Sequence, residues 1–188
     1  MPNVLAIVKE PDQVLRQKAR DIDVADISSK KIQDLIAAMK HTLASTPDGV
    51  GLAAPQVGES LRIFIISDEA EEIDRTQDAR QIHDNDPDSK NIKPYPVRAW
   101  HYYVFINPRI ITTSRQKYDG AEGCLSVPGV FGTIKRKEKI IMQAFDEHGK
   151  KFTRGAARFF ARVMQHEFDH LEGTLFIDSA TNIGKSQN

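Results

Sequence analysis

Two histidines four residues apart, with a glutamate directly after the first, sit in the stretch His166-Glu167-Phe168-Asp169-His170. On a helix this H-E-x-x-H spacing sets both imidazoles on one face, about a turn apart, with the glutamate beside the same opening. Two neutral imidazoles suit a divalent transition metal, and a carboxylate near them can take a proton from metal-bound water. The chemistry proposed is metal-assisted hydrolysis. A five-residue pattern can also arise by chance, so its surroundings matter. Phe159 and Val163 lie at helical spacing upstream of His166 and His170, so an apolar stripe runs into the two imidazoles. Phe160, Met164, Phe168 and Leu171 form a second stripe, which predicts a helix buried over much of its circumference. Gly173 supplies the stop.

Two histidines need a third ligand. The metzincin pattern would place a histidine at position 176, but Phe176 stands there. A thermolysin-like glutamate would have to come from a later helix, and the polar end of the chain offers none. Glu172 is too near to reach round its own helix, and Asp178 is a poor substitute. The third ligand is therefore expected upstream. The one cysteine, Cys124, lies in Glu122-Gly123-Cys124-Leu125-Ser126, followed by Val-Pro-Gly. A lone cysteine is more often a small buried hydrophobe, and it excludes an intrachain disulfide. With the two histidines it would make a Cys-His-His set that leaves a fourth position for water, the arrangement of a catalytic metal site.

The elements that must hold these groups can be traced along the chain. Ile32–Leu43 predicts an amphipathic helix capped by Ser28 or Ser29. Leu61–Ile66 and Tyr102–Ile106 read as buried strands, the second stopped by Asn107-Pro108. Ile140–Phe145 is another, running into a turn at Glu147-His148-Gly149. Strands in the middle and a late helix predict an α+β fold, with mixed or antiparallel β-sheets packed around a central metal-binding helix that bears HEFDH. At 188 residues and 40% hydrophobic content, one domain over 1–188 is expected. A polar insertion at about 68–98 and a short flexible tail at about 179–188 complete it. The formal net charge is zero, so no global field draws the chain to nucleic acid. Lys135–Lys139 reads as a solvated strand edge. No signal peptide or membrane span is read, and a cytoplasmic protein is expected. The remaining histidines, His41, His83, His101 and His148, read as surface or loop residues.

Three segments together resemble the peptide deformylase family. They are Gly49-Val50-Gly51-Leu52-Ala53-Ala54-Pro55-Gln56, Glu122-Gly123-Cys124-Leu125-Ser126 and Gln165-His166-Glu167-Phe168-Asp169-His170. They match the family's G-x-G-x-A-A-x-Q, E-G-C-x-S and Q-H-E-x-D-H motifs in order, and the likeness runs from Pro11-Asp12 to Leu175-Phe176. The resemblance implies a hydrolase that removes the formyl group from N-formylmethionine of nascent polypeptides, releasing formate. It implies Cys124, His166 and His170 as metal ligands and Glu167 as the proton carrier. Gln56 and the backbone N–H of Leu125 would stabilise the oxyanion. Main chain near Gly51 would pair with an extended substrate. Val50, Phe159, Val163 and the stem of Arg162 would wall the methionine pocket. One divalent ion per chain is implied, ferrous iron in cells, with zinc, nickel or cobalt able to occupy the same site. The implied partners are N-formylmethionyl nascent peptides and, transiently, the ribosome.

The chain departs from the family pattern at the 68–98 insertion, at Phe131 where some members carry an arginine (Arg136 lies nearby), and in stopping soon after Asp178. Two rival readings share parts of the pattern. One is an H-E-x-x-H metallopeptidase acting on ordinary peptide bonds, and the other is a non-catalytic ribosome-associated metal-binding module.

Overall fold

A computed structural model describes residues 3–46, 49–75 and 101–185 of the chain. Helix α1 spans Lys30–Ala44 and helix α2 spans Arg158–Leu171. Strands β1 (Gly51–Ala53), β2 (Ile63–Ser67), β3 (Tyr102–Thr113), β6 (Lys139–Phe145) and β7 (Lys151–Ala157) form an antiparallel sheet in the order β1-β2-β3-β6-β7. Strands β4 (Lys117–Cys124), β5 (Val127–Lys137) and β8 (Thr181–Lys185) form a second antiparallel sheet in the order β4-β5-β8. This is the expected α+β architecture, with α2 packed against the larger sheet.

Strand β2 shows why the larger sheet is covered on both faces. All five of its residues are buried, and its side chains alternate between two cores. Phe64 and Ile66 join Phe105, Met142, Ala144 and the α2 residues Phe160, Met164 and Leu171 on one face. Ile63 and Ile65 join Val104, Ile106 and the α1 residues Ile32, Ile36, Met39 and Leu43 on the other. A third, smaller core of Val127, Ile134, Leu175 and Phe176 lies beneath the second sheet.

Strand β3 does not stop at Asn107-Pro108. The pairing register with β6 shifts between Ile106 and Arg109, and Asn107 takes φ 48°. Proline is tolerated at such an irregularity because no ladder donor is required of it there. The Asn107 side chain also ties the break to the N-terminal segment: its Nδ2 donates to the Ile22 carbonyl (2.7 Å) and its Oδ1 accepts from the Ile22 N–H (2.9 Å).

The segment read as a solvated strand edge is corrected in part. Residues 135–137 pair with β4, and Arg136 is buried, while Lys135 stays in solvent opposite Asp119. Residues Thr181–Lys185, within the region read as a flexible tail, form β8. Of the polar insertion, residues 69–75 are helical and 76–98, with His83, lie outside the described residues. No helix among the described residues is long and apolar enough to cross a membrane.

Candidate active site

Helix α2 delivers three of the site's side chains. Phe160, Ala161, Met164 and Leu171 pack it against the core, and Phe159, Val163, His166 and Glu167 line a cavity of about 410 Å³ beside them. Gly173, at φ 75°, ends the helix in the left-handed conformation that favours glycine. A Cβ there would also sit 2.7 Å from the Arg16 carbonyl oxygen. The β4–β5 hairpin brings Cys124 across from the helix. The Cys124 Sγ and the ring nitrogens of His166 and His170 all lie within 4.8 Å of one another, with Sγ 3.3 Å from His170 Nε2.

One thiolate and two imidazoles form a donor set that fits a late first-row divalent metal and leaves coordination positions open. The two rings meet nearly edge to face, with centroids 5.1 Å apart. Burial lowers the pKa of His170 and favours the neutral form a metal requires. Downstream alternatives are occupied elsewhere. Phe176 is in the third core, and Asp178 accepts from Arg16 Nη1 at 2.7 Å.

Gln56 reaches the site from a 3₁₀ turn, Ala54–Val57, that follows β1 and ends at Gly58 in the left-handed region. Its amide is oriented by the backbone: Oε1 accepts from the Ala53 N–H (2.8 Å), which turns Nε2 toward Cys124 Sγ (3.5 Å) and Ser126 Oγ (3.4 Å). Leu125 lines the same cavity, and its carbonyl accepts from Lys9 Nζ at 2.6 Å.

Glu167 is 3% exposed, and its Oε2 has no hydrogen-bond partner among the described residues. Burial raises its pKa to about 7, against the lowering influence of His166. A carboxyl group poised there can accept or return a proton near neutrality.

Gly51 lies directly against this group. A Cβ built on Gly51 would stand 2.3 Å from Glu167 Oε1 and 2.8 Å from its carboxyl carbon. Gly51→Ala is therefore expected to displace the carboxylate and lower kcat by about 10²-fold, since displacements near 1 Å can cost that much. Steady-state kinetics on a variant with unchanged circular dichroism checks this. A kcat within twofold of wild type would show that the carboxylate can move without consequence.

Behind Cys124, His166 and His170 lies a buried ionic cluster that sequence reading did not assign. Glu122 accepts from Arg136 Nε and Nη2 (2.9 Å each), from Arg162 Nη1 (2.8 Å) and from His166 Nδ1 (2.9 Å). Burial opposes its charge, but hydrogen bonds from Arg136 and His166 outweigh that cost and hold its pKa at about 2. By engaging Nδ1, Glu122 leaves His166 Nε2 for a metal. Arg136 also pairs with Asp169 at 2.5 Å, so it is not offered to a substrate. Arg162 borders the cavity, yet its guanidinium is turned to Glu122 and to the carbonyls of Gly120, Ile134 and Tyr118. Phe131 stands at the cavity rim, 51% exposed, with its ring over Gly123. His41 is half-buried on α1, while His101 and His148 are exposed.

A family model described as polypeptide deformylase matches residues 4–186. The chain belongs to the polypeptide deformylase family. It is 37% identical over 180 residues to a peptide deformylase of Symbiobacterium thermophilum, covering 96% of this chain and 68% of that protein. It is 38% identical over 168 residues to one of Pseudothermotoga lettingae, covering 89% of this chain and 77% of that protein. Among solved structures, a Legionella pneumophila deformylase superposes with a TM-score of 0.72 at 32% identity, covering 96% of this chain and 88% of that one. A Met-Ala-Ser-bound deformylase of Acinetobacter baumannii gives 0.75 at 29% identity, covering 95% of this chain and 99% of that one. In this deformylase, the three motif segments come from a sheet edge, a hairpin and a helix that meet only in the folded chain.

Proposed function

We infer that the chain is a metal-dependent hydrolase that removes the N-formyl group from N-formylmethionine of nascent polypeptides and releases formate. The observation that carries this is the convergence of Cys124, His166 and His170 beside Glu167 and Gln56 on one cavity. Cys124, His166 and His170 hold the metal. When bound, it supplies Lewis acidity and makes water acidic enough to attack near neutral pH. Glu167 takes a proton from the attacking water as its oxygen bonds to the formyl carbon. The Gln56 Nε2–H and the Leu125 N–H donate to the oxygen that gains charge. Glu167 then returns the proton to the amine as the C–N bond breaks, leaving formate and a free N-terminus.

Val50, Phe159, Val163 and the stem of Arg162 line the pocket for the methionine side chain, and Gly51 offers backbone to the peptide that follows. The relative that binds Met-Ala-Ser agrees with a ligand beginning in methionine. Ferrous iron is the metal in cells, and zinc, nickel or cobalt fit the same soft and borderline donors. The substrate is still being synthesised, which fits action in the cytoplasm with transient ribosome contact. Residues 1–188 form one catalytic domain carrying the 68–98 insertion and a short tail.

The test is formate release from a formyl-Met peptide, with the unformylated peptide as control. Cleavage of the control without formate would favour the peptidase reading. Cys124→Ser is expected to weaken metal retention by more than the 10- to 100-fold typical of outer-sphere changes, roughly 10²-fold or more. Unchanged metal content after dialysis against a chelator would remove Cys124 from the ligand set.

A further inference from the structure

The N-terminus of α2 is not capped by its own residues. Ala157 stands at the N-cap position and provides no side-chain acceptor. The first turn of a helix leaves several N–H groups without intrahelical partners, and alanine is a poor residue to answer them. Arg158, the first helical residue, takes φ 52°, a left-handed conformation costly for a bulky side chain and sustained only when its surroundings hold it. Two groups from elsewhere do so. The Glu138 carbonyl accepts the Arg158 N–H at 2.9 Å. Asp74 then accepts the next two: the Phe159 N–H at Oδ1 and the Phe160 N–H at Oδ2, both at 3.0 Å.

Asp74 belongs to the helical residues 69–75, at the start of the polar insertion that no step of the chemistry uses. That segment is itself anchored. One turn before Asp74, Glu71 accepts from the Tyr103 hydroxyl (2.9 Å) and pairs with Arg154. The Arg154 guanidinium lies over the rings of Tyr103 (4.5 Å to centroid) and Phe160 (5.4 Å). Residues 69–75 are thus fastened to β3, β7 and the start of α2 together. Both Asp74 oxygens are used, and its negative charge faces the positive end of the helix dipole.

We propose that Asp74 is a positioning residue for substrate selection, setting the Phe159 ring in the pocket wall by clamping the first turn of the helix that carries the metal ligands. Phe159 lines the cavity, and Asp74 holds the backbone amide of that same residue. Glu167 lies two turns further along, where the helix is locked by its core face, so the clamp governs the pocket more than the chemistry. The inference rests on the deformylase reading for its substrate. It places a specificity determinant in the insertion, outside the three motifs.

The test compares wild type, Asp74→Ala, Asp74→Asn, Phe159→Ala and the Asp74→Ala/Phe159→Ala double variant on formyl-Met and formyl-Ala peptides. Asp74→Ala is expected to raise KM for the formyl-Met peptide about fivefold, the size of a typical lost cap expressed as an equilibrium shift. KM for the formyl-Ala peptide, with no long side chain to seat, and kcat for both should stay within about twofold. Asp74→Asn, which keeps one acceptor oxygen, should recover part of the change. In the Phe159→Ala background, Asp74→Ala should add nothing. Equal changes for the two peptides, or additive changes in the double variant, would overturn the proposal. Amide hydrogen exchange supplies a readout independent of turnover: the Phe159 and Phe160 amides should exchange faster in Asp74→Ala, and unchanged rates would refute the clamp. Absence of formate from wild type would strike the functional reading instead, while exchange would still judge Asp74.

Discussion

Glu167→Gln is expected to lower kcat by about 10²–10⁴ while leaving metal content and KM close to wild type. Glutamine has nearly the same size and shape, so it can occupy the space that Gly51 leaves open without disturbing the helix. What it loses is the ability to take a proton. Glu167 is buried at the cavity, and among the described residues its Oε2 is free of hydrogen bonds and Glu122 is the one other carboxylate lining the cavity. Glu122 is held ionised by Arg136 and His166, against the cost of burial, and cannot substitute as a base. Steady-state kinetics with formate detection, alongside elemental analysis of the same preparation, provides the measurement. An undiminished kcat with metal present would exclude Glu167 as the proton carrier.

Glu122→Ala should produce the largest loss of stability. It removes the carboxylate that two buried guanidiniums share, leaving Arg162 without an acidic partner and Arg136 with Asp169 alone among the described residues. Breaking a buried ion pair from one side typically costs about 3–5 kcal/mol, because the remaining charge stays desolvated. In a protein of this size each kcal/mol moves Tm by about 2–4 °C, so a fall of roughly 6–20 °C is expected. Metal affinity should drop as well, by about 10- to 100-fold, since His166 loses the acceptor that orients its ring. Thermal unfolding of metal-free and metal-loaded protein separates the two effects. A Tm change below about 2 °C would mean that solvent screens the cluster.

The helix and its pair of histidines were legible in the sequence because two signals coincide there. The 3.6-residue period of Phe160, Met164 and Leu171 marks the core face, and the His-x-x-x-His spacing lies on the face beside it. Strand β2 was legible as an unbroken apolar run, which a strand covered on both faces produces. Of the β4–β5 hairpin only the end at Lys135–Lys137 was read as strand, for the opposite reason. Its inward face is Tyr118, Gly120 and Glu122 on one strand and Gly132, Ile134 and Arg136 on the other. Two glycines and two charges give almost no hydrophobic period, so the alternation was invisible to an apolar template. The glycines are there because a Cβ on Gly120 would lie 2.7 Å from the Arg162 guanidinium, and one on Gly132 would lie 2.8 Å from Ala180. Asp74 was equally hidden. Nothing in a polar stretch announces that one of its carboxylates caps a helix that begins 84 residues later.

The same hairpin face has a consequence for how the chain avoids mispairing. Two strands of alternating polar residues could slide past one another by one position, and such a slip exchanges every inward side chain for an outward one. Here a slip of β5 would carry Lys135 and Lys137 inward in place of Arg136, whereas a slip of β4 would carry Ala121 or Gly123 inward in place of Glu122. Either slip parts Glu122 from Arg136, and the second also takes the Glu122 carboxylate away from Arg162. An apolar pair at positions 122 and 136 would hold the two strands as firmly, but it would tolerate a shifted partner far more readily. The buried charges thus act as a key that fits in one alignment only. Since Cys124 closes the same strand, the thiol reaches the histidines only when that alignment is the correct one.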